Sequence, residues 1–447
     1  MYQINHFQVR YSQQSSVIQF NGKVSIQQGD CVLLHGNSGC GKSTLLLALK
    51  GLIPNFIYAT IAGELNYQNK PITQLTLQQS AEIAYLAQNP HQQIICPDVF
   101  SELAFGLENL ALDKQTIEVK IHQILAEFKL TNLLNRSTAT LSGGEKQIIN
   151  LVAILLQQPK VLLLDEPTAF LDPQSAQQVM TILANYRSKM TIVIVEHNLA
   201  YIKSLVDRVI HLTDQHQLIE MDPTKLNWQL KLPCLIPQSP LKYTNHLLKI
   251  SGLTFGFCSD SAPLLQQINL SIAQSEIIGL TGVNGCGKST LLKLIAGIIP
   301  SSEQIFWQHQ AINRLKPQQL WHKISLVWQN PETHFLANSV SSELNNNLDL
   351  MRQFNLEDVA NSSPYNISEG QKRRLALAIV LQQPSQLILM DEPTFGQDYQ
   401  NKLDLAQQIK NLAEHGYAFI LVSQDHQFLQ ALTKRCYQLD QGCLSLC

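Results

Sequence analysis

Charge is scarce in this sequence. Only 15% of its 447 residues are Asp, Glu, Lys or Arg, and they nearly cancel at a net −2, whereas an average soluble domain carries about 25%. So light and balanced a charge argues against an obligate electrostatic partner such as bulk nucleic acid or an anionic membrane surface. Long apolar runs are lacking as well. The longest are short, such as Leu151–Leu156, where a membrane span needs roughly 18 residues. No basic segment followed by an apolar one opens the sequence, so no secretory signal is expected and the reading is a chain that stays in the cytosol. Paired cysteines are absent too. Cys31, Cys40, Cys96, Cys234, Cys258, Cys286, Cys436, Cys443 and Cys447 form no CxxC, which excludes the spacing of a zinc or disulfide framework and leaves reduced thiols. Cys443 and Cys447 are expected to lie in a frayed tail. At 45% hydrophobic residues, the chain is too apolar for disorder.

What is present is said twice. GNSGCGKST spans Gly36–Thr44 and GVNGCGKST spans Gly282–Thr290. Each follows an apolar run (CVLLH, EIIGLT) and precedes a helical pattern (LLLALKGLI, LLKLIAGII). Strand, glycine loop and helix are the context in which GxxxxGK[ST] cradles phosphate. Small residues let successive backbone N–H groups turn inward, and the helix adds its positive end. The first cradle is Gly36, Asn37, Ser38, Gly39, Cys40, Gly41, Lys42, Ser43 and Thr44. The second is Gly282, Val283, Asn284, Gly285, Cys286, Gly287, Lys288, Ser289 and Thr290. The lysines suit β- and γ-phosphates, and the Ser43 and Ser289 hydroxyls suit Mg²⁺.

VLLLDEPT and LILMDEPT repeat as well. Four apolar residues ending in Asp read as a buried strand that delivers a carboxylate to the ligand-binding edge of an open α/β sheet. Asp165 and Asp391 are therefore expected to hold Mg²⁺, and Glu166 and Glu392 to polarise an attacking water. The repeats imply two tandem α/β P-loop NTPase domains, each with a mainly parallel core sheet. The first covers residues 1–222 and the second 246–447, joined by a linker at 223–245 that carries Pro223, Pro233, Pro237 and Pro240. TIVIV at 191–195 and AFILV at 418–422 supply further core strands.

LSGGEKQ (Leu141–Gln147) leads into an apolar helix, and ISEGQKRR (Ile367–Arg374) is its counterpart. These segments resemble the signature of ATP-binding cassette (ABC) ATPases. The resemblance covers nearly all of the chain outside the linker and implies an inserted helical subdomain in each cassette. It also implies ATP hydrolysis with Mg²⁺ and cassettes that pair head to tail, so that each signature caps the nucleotide of the other. On that basis Ser142, Gly143, Gly144, Ser368, Gly370 and Gln371 join the nucleotide-binding set. Ser142 and Ser368 are equally suited to be plain helix N-caps. Gln88 and Gln329 match the Q-loop glutamines that sense Mg²⁺ and the transport partner. Tyr11 and Phe257 match the adenine-stacking aromatic, with a core aromatic as the rival reading. Asp172 and Asp398 match the D-loop. His197 matches the switch histidine, and alignment on the preceding strand puts Gln424 in its place in the second half, with His426 two residues on.

Site one would then combine Lys42, Gln88, Asp165, Glu166 and His197 with Ser368 and Gly370. Site two would combine Lys288, Gln329, Asp391 and Glu392 with Ser142, Gly143 and Gly144. Each has one departure from the pattern, Glu369 for a signature glycine and Gln424 for the histidine, and the expectation is that site one hydrolyses while site two is slower. GLIPNF, NPHQQI, SELAFGLENL and PTFGQD resemble the energy-coupling factor (ECF) importers of vitamins and transition-metal ions. That likeness implies an integral membrane T subunit, a substrate-binding S subunit, no nucleic acid, and a place at the cytoplasmic face of the membrane. The interval from Q-loop to signature is fifteen residues shorter in the second half, so the two docking surfaces cannot be equivalent. A twin-cassette ATPase acting on ribosomes or DNA is the rival; its long charged linker or CxxC pairs are missing here.

Overall fold

A computed structural model describes residues 1–12, 17–37, 39–169, 171–237, 246–257, 262–300 and 303–447. Ser38, Cys258 and Pro240, singled out above, lie outside the described residues. Two compact units divide the chain, Met1–Leu230 and Lys231–Cys447. Each is built around its own pair of buried apolar clusters.

The first unit contains β1 (Tyr2–Tyr11), β2 (Ile18–Ile26), β3 (Cys31–His35), β4 (Ala59–Tyr67), β5 (Lys70–Pro71), β6 (Ile83–Leu86), β7 (Val161–Asp165), β8 (Thr191–Val195), β9 (Arg208–Leu212) and β10 (Leu218–Met221). The core sheet runs β10-β9-β3-β8-β7-β6 and is parallel except at the β10 edge. A second, antiparallel sheet runs β2-β1-β4-β5. Both faces of the core sheet are covered, which is why its strands read as continuous apolar runs. Along β7, Leu162 and Leu164 join the cluster built with the helices, while Val161 and Leu163 join Ile4, Phe7 and Phe20 of the antiparallel sheet.

The second unit repeats the plan with β11 (His246–Phe255), β12 (Leu265–Ala273), β13 (Ile277–Thr281), β14 (Ile305–Trp307), β15 (Gln310–Ala311), β16 (Ile324–Val327), β17 (Leu387–Asp391), β18 (Ala418–Val422), β19 (Arg435–Asp440) and β20 (Cys443–Leu446). Its sheets run β16-β17-β18-β13-β19-β20 and β12-β11-β14-β15. The expected α/β fold with a mainly parallel core is thus present twice, and to it is added an antiparallel sheet in each unit.

Helices fill the interval between Gln88 and Ser142, Val99–Asn109 with 11 residues and Lys114–Glu127 with 14. The corresponding helices of the second unit, Val340–Glu343 and Leu348–Gln353, have 4 and 6 residues. The shorter interval seen in the sequence is therefore lost from helix length. On either side of the division in sequence, Trp228 packs against the first unit's core, and Leu232 and Leu235 pack against the second's. The tail does not fray. β20 pairs antiparallel with β19, Tyr437 opposite Leu446, and the Cys447 N–H donates to the Cys436 carbonyl at 2.8 Å. Its alternating Cys-Leu-Ser-Leu carries enough β character to extend the sheet edge. The described cysteines are free thiols, and among the described residues no helix is long and apolar enough to cross a membrane.

Leu389, fully buried at the middle of β17, tests this packing. Leu389→Ala should destabilise the second unit by about 2–5 kcal/mol, read as a lower urea midpoint in the fluorescence of Trp307, Trp321 and Trp328.

Candidate functional site

In each unit the glycine loop and the acidic pair meet at one sheet edge. β3 and β7 flank β8 in parallel register, so the loop after His35 opens beside Asp165. Gly36 has φ 155°, and a Cβ there would stand 2.4 Å from the Leu212 carbonyl oxygen; Gly282 repeats this at 152° and 2.4 Å from Leu439. The loop can lie against the neighbouring strand only with glycine at that place. The helices Lys42–Lys50 and Lys288–Ile295 start directly from the loops. The Lys42 ammonium donates to the carbonyls of Gly36 and Asn37, both at 2.8 Å. The Lys288 ammonium donates to Gly282 at 2.7 Å and Val283 at 2.9 Å. Each lysine is thus buried and centred over its loop.

The carboxylates end their strands as expected. Asp165 is buried, accepts from the Tyr85 hydroxyl at 3.2 Å, and keeps Oδ1 unpartnered. Burial pushes its pKa up to about 6; the Ser43 hydroxyl works against burial, Glu166 with it, and Tyr85 against it. Burial raises Asp391 too, opposed by Ser289 and then Lys288. A buried carboxylate oxygen without a partner and a nearby hydroxyl are hard donors that fit Mg²⁺, whose remaining ligands are phosphate oxygens and water. Glu166 and Glu392 follow at φ 50° and 47°. That region is uncommon for a residue with a side chain, and such strain gathers at functional sites.

Around these glutamates the units differ. Gln88 Nε2 donates to Glu166 Oε2 at 2.9 Å, and His197 Nε2 lies 3.0 Å from Oε1. Burial alone would lower the imidazole pKa, but the contact with Glu166 outweighs it and the net shift is upward. Glu392 instead accepts from the backbone N–H of Gln424 at 3.1 Å, while the Gln424 side chain donates to Asn284 Oδ1 at 2.5 Å. Burial pushes Glu392 up to about 7, opposed first by that N–H and then by Lys288. His426 is exposed and opens a short helix, and of the two residues it is Gln424 whose backbone is hydrogen-bonded to Glu392. Gln329, the counterpart of Gln88, is exposed.

Other expected residues fall as follows. Ser142 and Ser368 cap the helices Gly143–Leu156 and Glu369–Leu381, with Glu145 and Gln371 closing capping boxes. Gly144 and Gly370 are buried in the first turns. A Cβ on Gly370 would stand 2.4 Å from Asn401 Oδ1, an atom that also accepts from Arg374 at 3.2 Å. Asp172 accepts from the N–H and hydroxyl of Ser175, and Asp398 caps the helix Tyr399–Glu414. Phe257 is 70% exposed with its ring edge-on to Phe255, open to stacking. Tyr11 is half-buried against the core with its hydroxyl 3.1 Å from Thr44 Oγ1. Sequence reasoning missed Tyr85 and Glu196. The buried Glu196 accepts from the Thr168 hydroxyl and from the N–H groups of His197 and Asn198, fixing the switch turn. Its place beside His197 was the available signal; Tyr85 left none.

Two phosphate cradles, each with a buried Asp and a strained Glu at one sheet edge, define a duplicated P-loop nucleotide-binding protein. The ABC transporter family model matches residues 20–169 and 265–395, and the chain belongs to that family of ATP-binding, ATP-hydrolysing proteins. It is 30% identical, over 91% of its length and 84% of the relative's, to a Bacillus subtilis protein provisionally named an HMP/thiamine import ATP-binding protein. A Sulfurisphaera tokodaii protein provisionally named an ABC transporter ATP-binding protein is 31% identical over 94% of this chain and 92% of its own. Among solved structures, an archaeal ribosome recycling factor, crystallised with a ribosomal stalk protein, matches at TM-score 0.66 and 19% identity over 98% of this chain and 89% of its own. That likeness is one of fold.

His35, immediately before the first loop, has its Nδ1 2.9 Å from Nδ1 of His211. Burial, then His211, Lys42 and His197, push His35 down to about 4. The unfolded chain takes up this proton below about 6.5, so the first unit should lose stability as pH falls from about 6.5 towards 4. Urea midpoints at pH 7 and pH 5 measure this, and His35→Thr, the residue type of Thr281 in the second unit, should flatten the difference.

Proposed function

We propose that this chain is the ATP-hydrolysing subunit of an importer of the ECF type, coupling MgATP binding and hydrolysis to uptake of a vitamin or metal ion through separate membrane subunits. The observation that carries this reading is the 30% identity, spanning both cassettes, to the relative named for HMP/thiamine import. The short Pro-bearing connection and the weak net charge support it over a ribosomal role.

In this reading the cassettes pair head to tail, each signature facing the nucleotide held by the other's loop. Lys42 and Lys288 release the loop carbonyls and neutralise β- and γ-oxygens. Mg²⁺ would be held by Ser43 with Asp165 and by Ser289 with Asp391, with Gln88 and Gln329 at hand, and would supply charge neutralisation on the phosphates. Glu166 orients water as general base, with Gln88 and His197 fixing its carboxylate. Glu392 lacks the histidine and works more slowly, so site two mainly retains ATP. Phosphate contacts to both cassettes favour closure, and hydrolysis removes them. The chain then sits at the cytoplasmic face of the membrane, where its unequal helical arms meet two different coupling elements of an asymmetric T subunit, with an S subunit supplying the solute.

Substitution at the glutamates tests the asymmetry. Glu166→Gln should lower ATPase turnover of the assembled complex by about 10²-fold or more, the scale of a lost general base, and Glu392→Gln by far less. Equal losses would overturn the division of labour. Affinity purification from membranes tests the wider reading: integral subunits should come with the chain, and recovery with ribosomes or DNA would refute an import role.

A further inference from the structure

The second signature carries a carboxylate where the first has glycine. Glu369 occupies the first position of the helix Glu369–Leu381, immediately after Ser368, and its side chain is half exposed. A carboxylate there is stabilised by the helix dipole and competes for the field that an incoming phosphate would use. The side chain is not left to itself. Lys372, one turn on, places Nζ 3.0 Å from Glu369 Oε1 and 2.6 Å from Glu332 Oε1, with only 9% of its side chain exposed. Glu332 belongs to the turn Pro331–His334 just past Gln329. In the first unit the corresponding contact is lighter. Gly143 stands where Glu369 does, and Lys146 Nζ lies 3.1 Å from His91 Nδ1 on an exposed face.

We propose that Lys372 is a positioning residue that makes the second signature compatible with a polyphosphate by holding Glu369 against the helix's own second turn and offsetting its charge with an ammonium shared with Glu332. The inference rests on the reading that this signature faces the nucleotide of the first cassette. Two carboxylates converge on one buried ammonium, and charge-assisted bonds of this kind are about twice as strong as neutral ones. Burial alone would lower the Lys372 pKa, but Glu332 and Glu369 outweigh it and keep the group charged. The same bonds tie the turn after Gln329 to the signature helix, so a shift of that turn changes how Glu369 is screened. The first signature has no carboxylate at that position to cancel, and its lysine is free of this duty.

Steady-state ATPase kinetics of the full chain in its membrane complex test the proposal, with melting temperatures recorded alongside. Lys372→Met should raise KM for MgATP about tenfold, since it leaves an uncancelled charge facing an anion, and added salt should narrow that defect by screening. Lys372→Arg should retain wild-type KM. In Lys372→Met/Glu369→Gly, KM should return to within about twofold of wild type, a rescue that a packing role for the lysine cannot give. Lys146→Met should leave KM within about the same margin. Wild-type KM in Lys372→Met, or a defect undiminished in the double variant, would overturn the inference while leaving the ATPase reading intact. No ATPase in the wild-type complex would overturn both.

Discussion

Parallel pairing of β3 with β8 and of β8 with β7 is the constraint on which each unit depends. Parallel strands end at the same edge, so chain segments more than a hundred residues apart deliver a glycine loop and a carboxylate to one place. That pairing requires both faces of the sheet to be covered. One face receives most of the helices and the other the antiparallel sheet together with the helix that follows the glycine loop, and every residue of β7 and β17 is buried as a result. Burial in turn shifts Asp165 and Asp391 towards the protonated form and gives an incoming cation a large effect on them. Stability and chemistry thus share the same strand ends.

Duplication does not make the two edges equal. Glu166 is gripped by two side chains, Gln88 and His197. Glu392 is gripped by one backbone N–H, and the Gln424 side chain turns away to Asn284. Glu196, which fixes the switch turn in the first unit, is matched by Ser423, hydrogen-bonded to Thr394 at 3.0 Å. A buried carboxylate and a hydroxyl hold the same turn with very different local charge. The imbalance is therefore spread through the shell around each glutamate rather than confined to one substitution.

The parts legible in the sequence were those whose chemistry is local. The glycines, Lys42 and Ser43 lie within nine residues of one loop, where the Lys42 ammonium folds back on the Gly36 and Asn37 carbonyls, and VLLLD is a strand because burial on both faces demands it. Ser142 and Ser368 were legible as caps for the same reason. Contacts that join distant segments were not. Nothing in the residue types pairs Tyr85 with Asp165 or Glu332 with Lys372, since each bond exists only once the sheet and the signature helix are packed. The antiparallel sheets escaped notice because β1 and β11 are interrupted by register shifts that blur a two-residue alternation. Tyr11 shows the opposite difficulty: one aromatic suited two places, and only its hydroxyl on Thr44 shows how the phenol is held.

The close approach of Gly370 to Asn401 carries a last consequence. Asn401 receives Arg374 from the signature helix, and its own N–H is held by Asp398. Ile148 and Ser175 stand at the matching places in the first unit. A side chain added at residue 370 needs a smaller one at 401, and a smaller one at 401 takes from Arg374 one of its two hydrogen bonds, leaving the one that Nε donates to the Phe354 carbonyl at 3.0 Å. Residues 374 and 401 are therefore coupled through one hydrogen bond, while the glycine is common to both units as Gly144 and Gly370. Giving residue 401 alone the serine of the first unit would break a bond that exchanging residues 374 and 401 together would not miss.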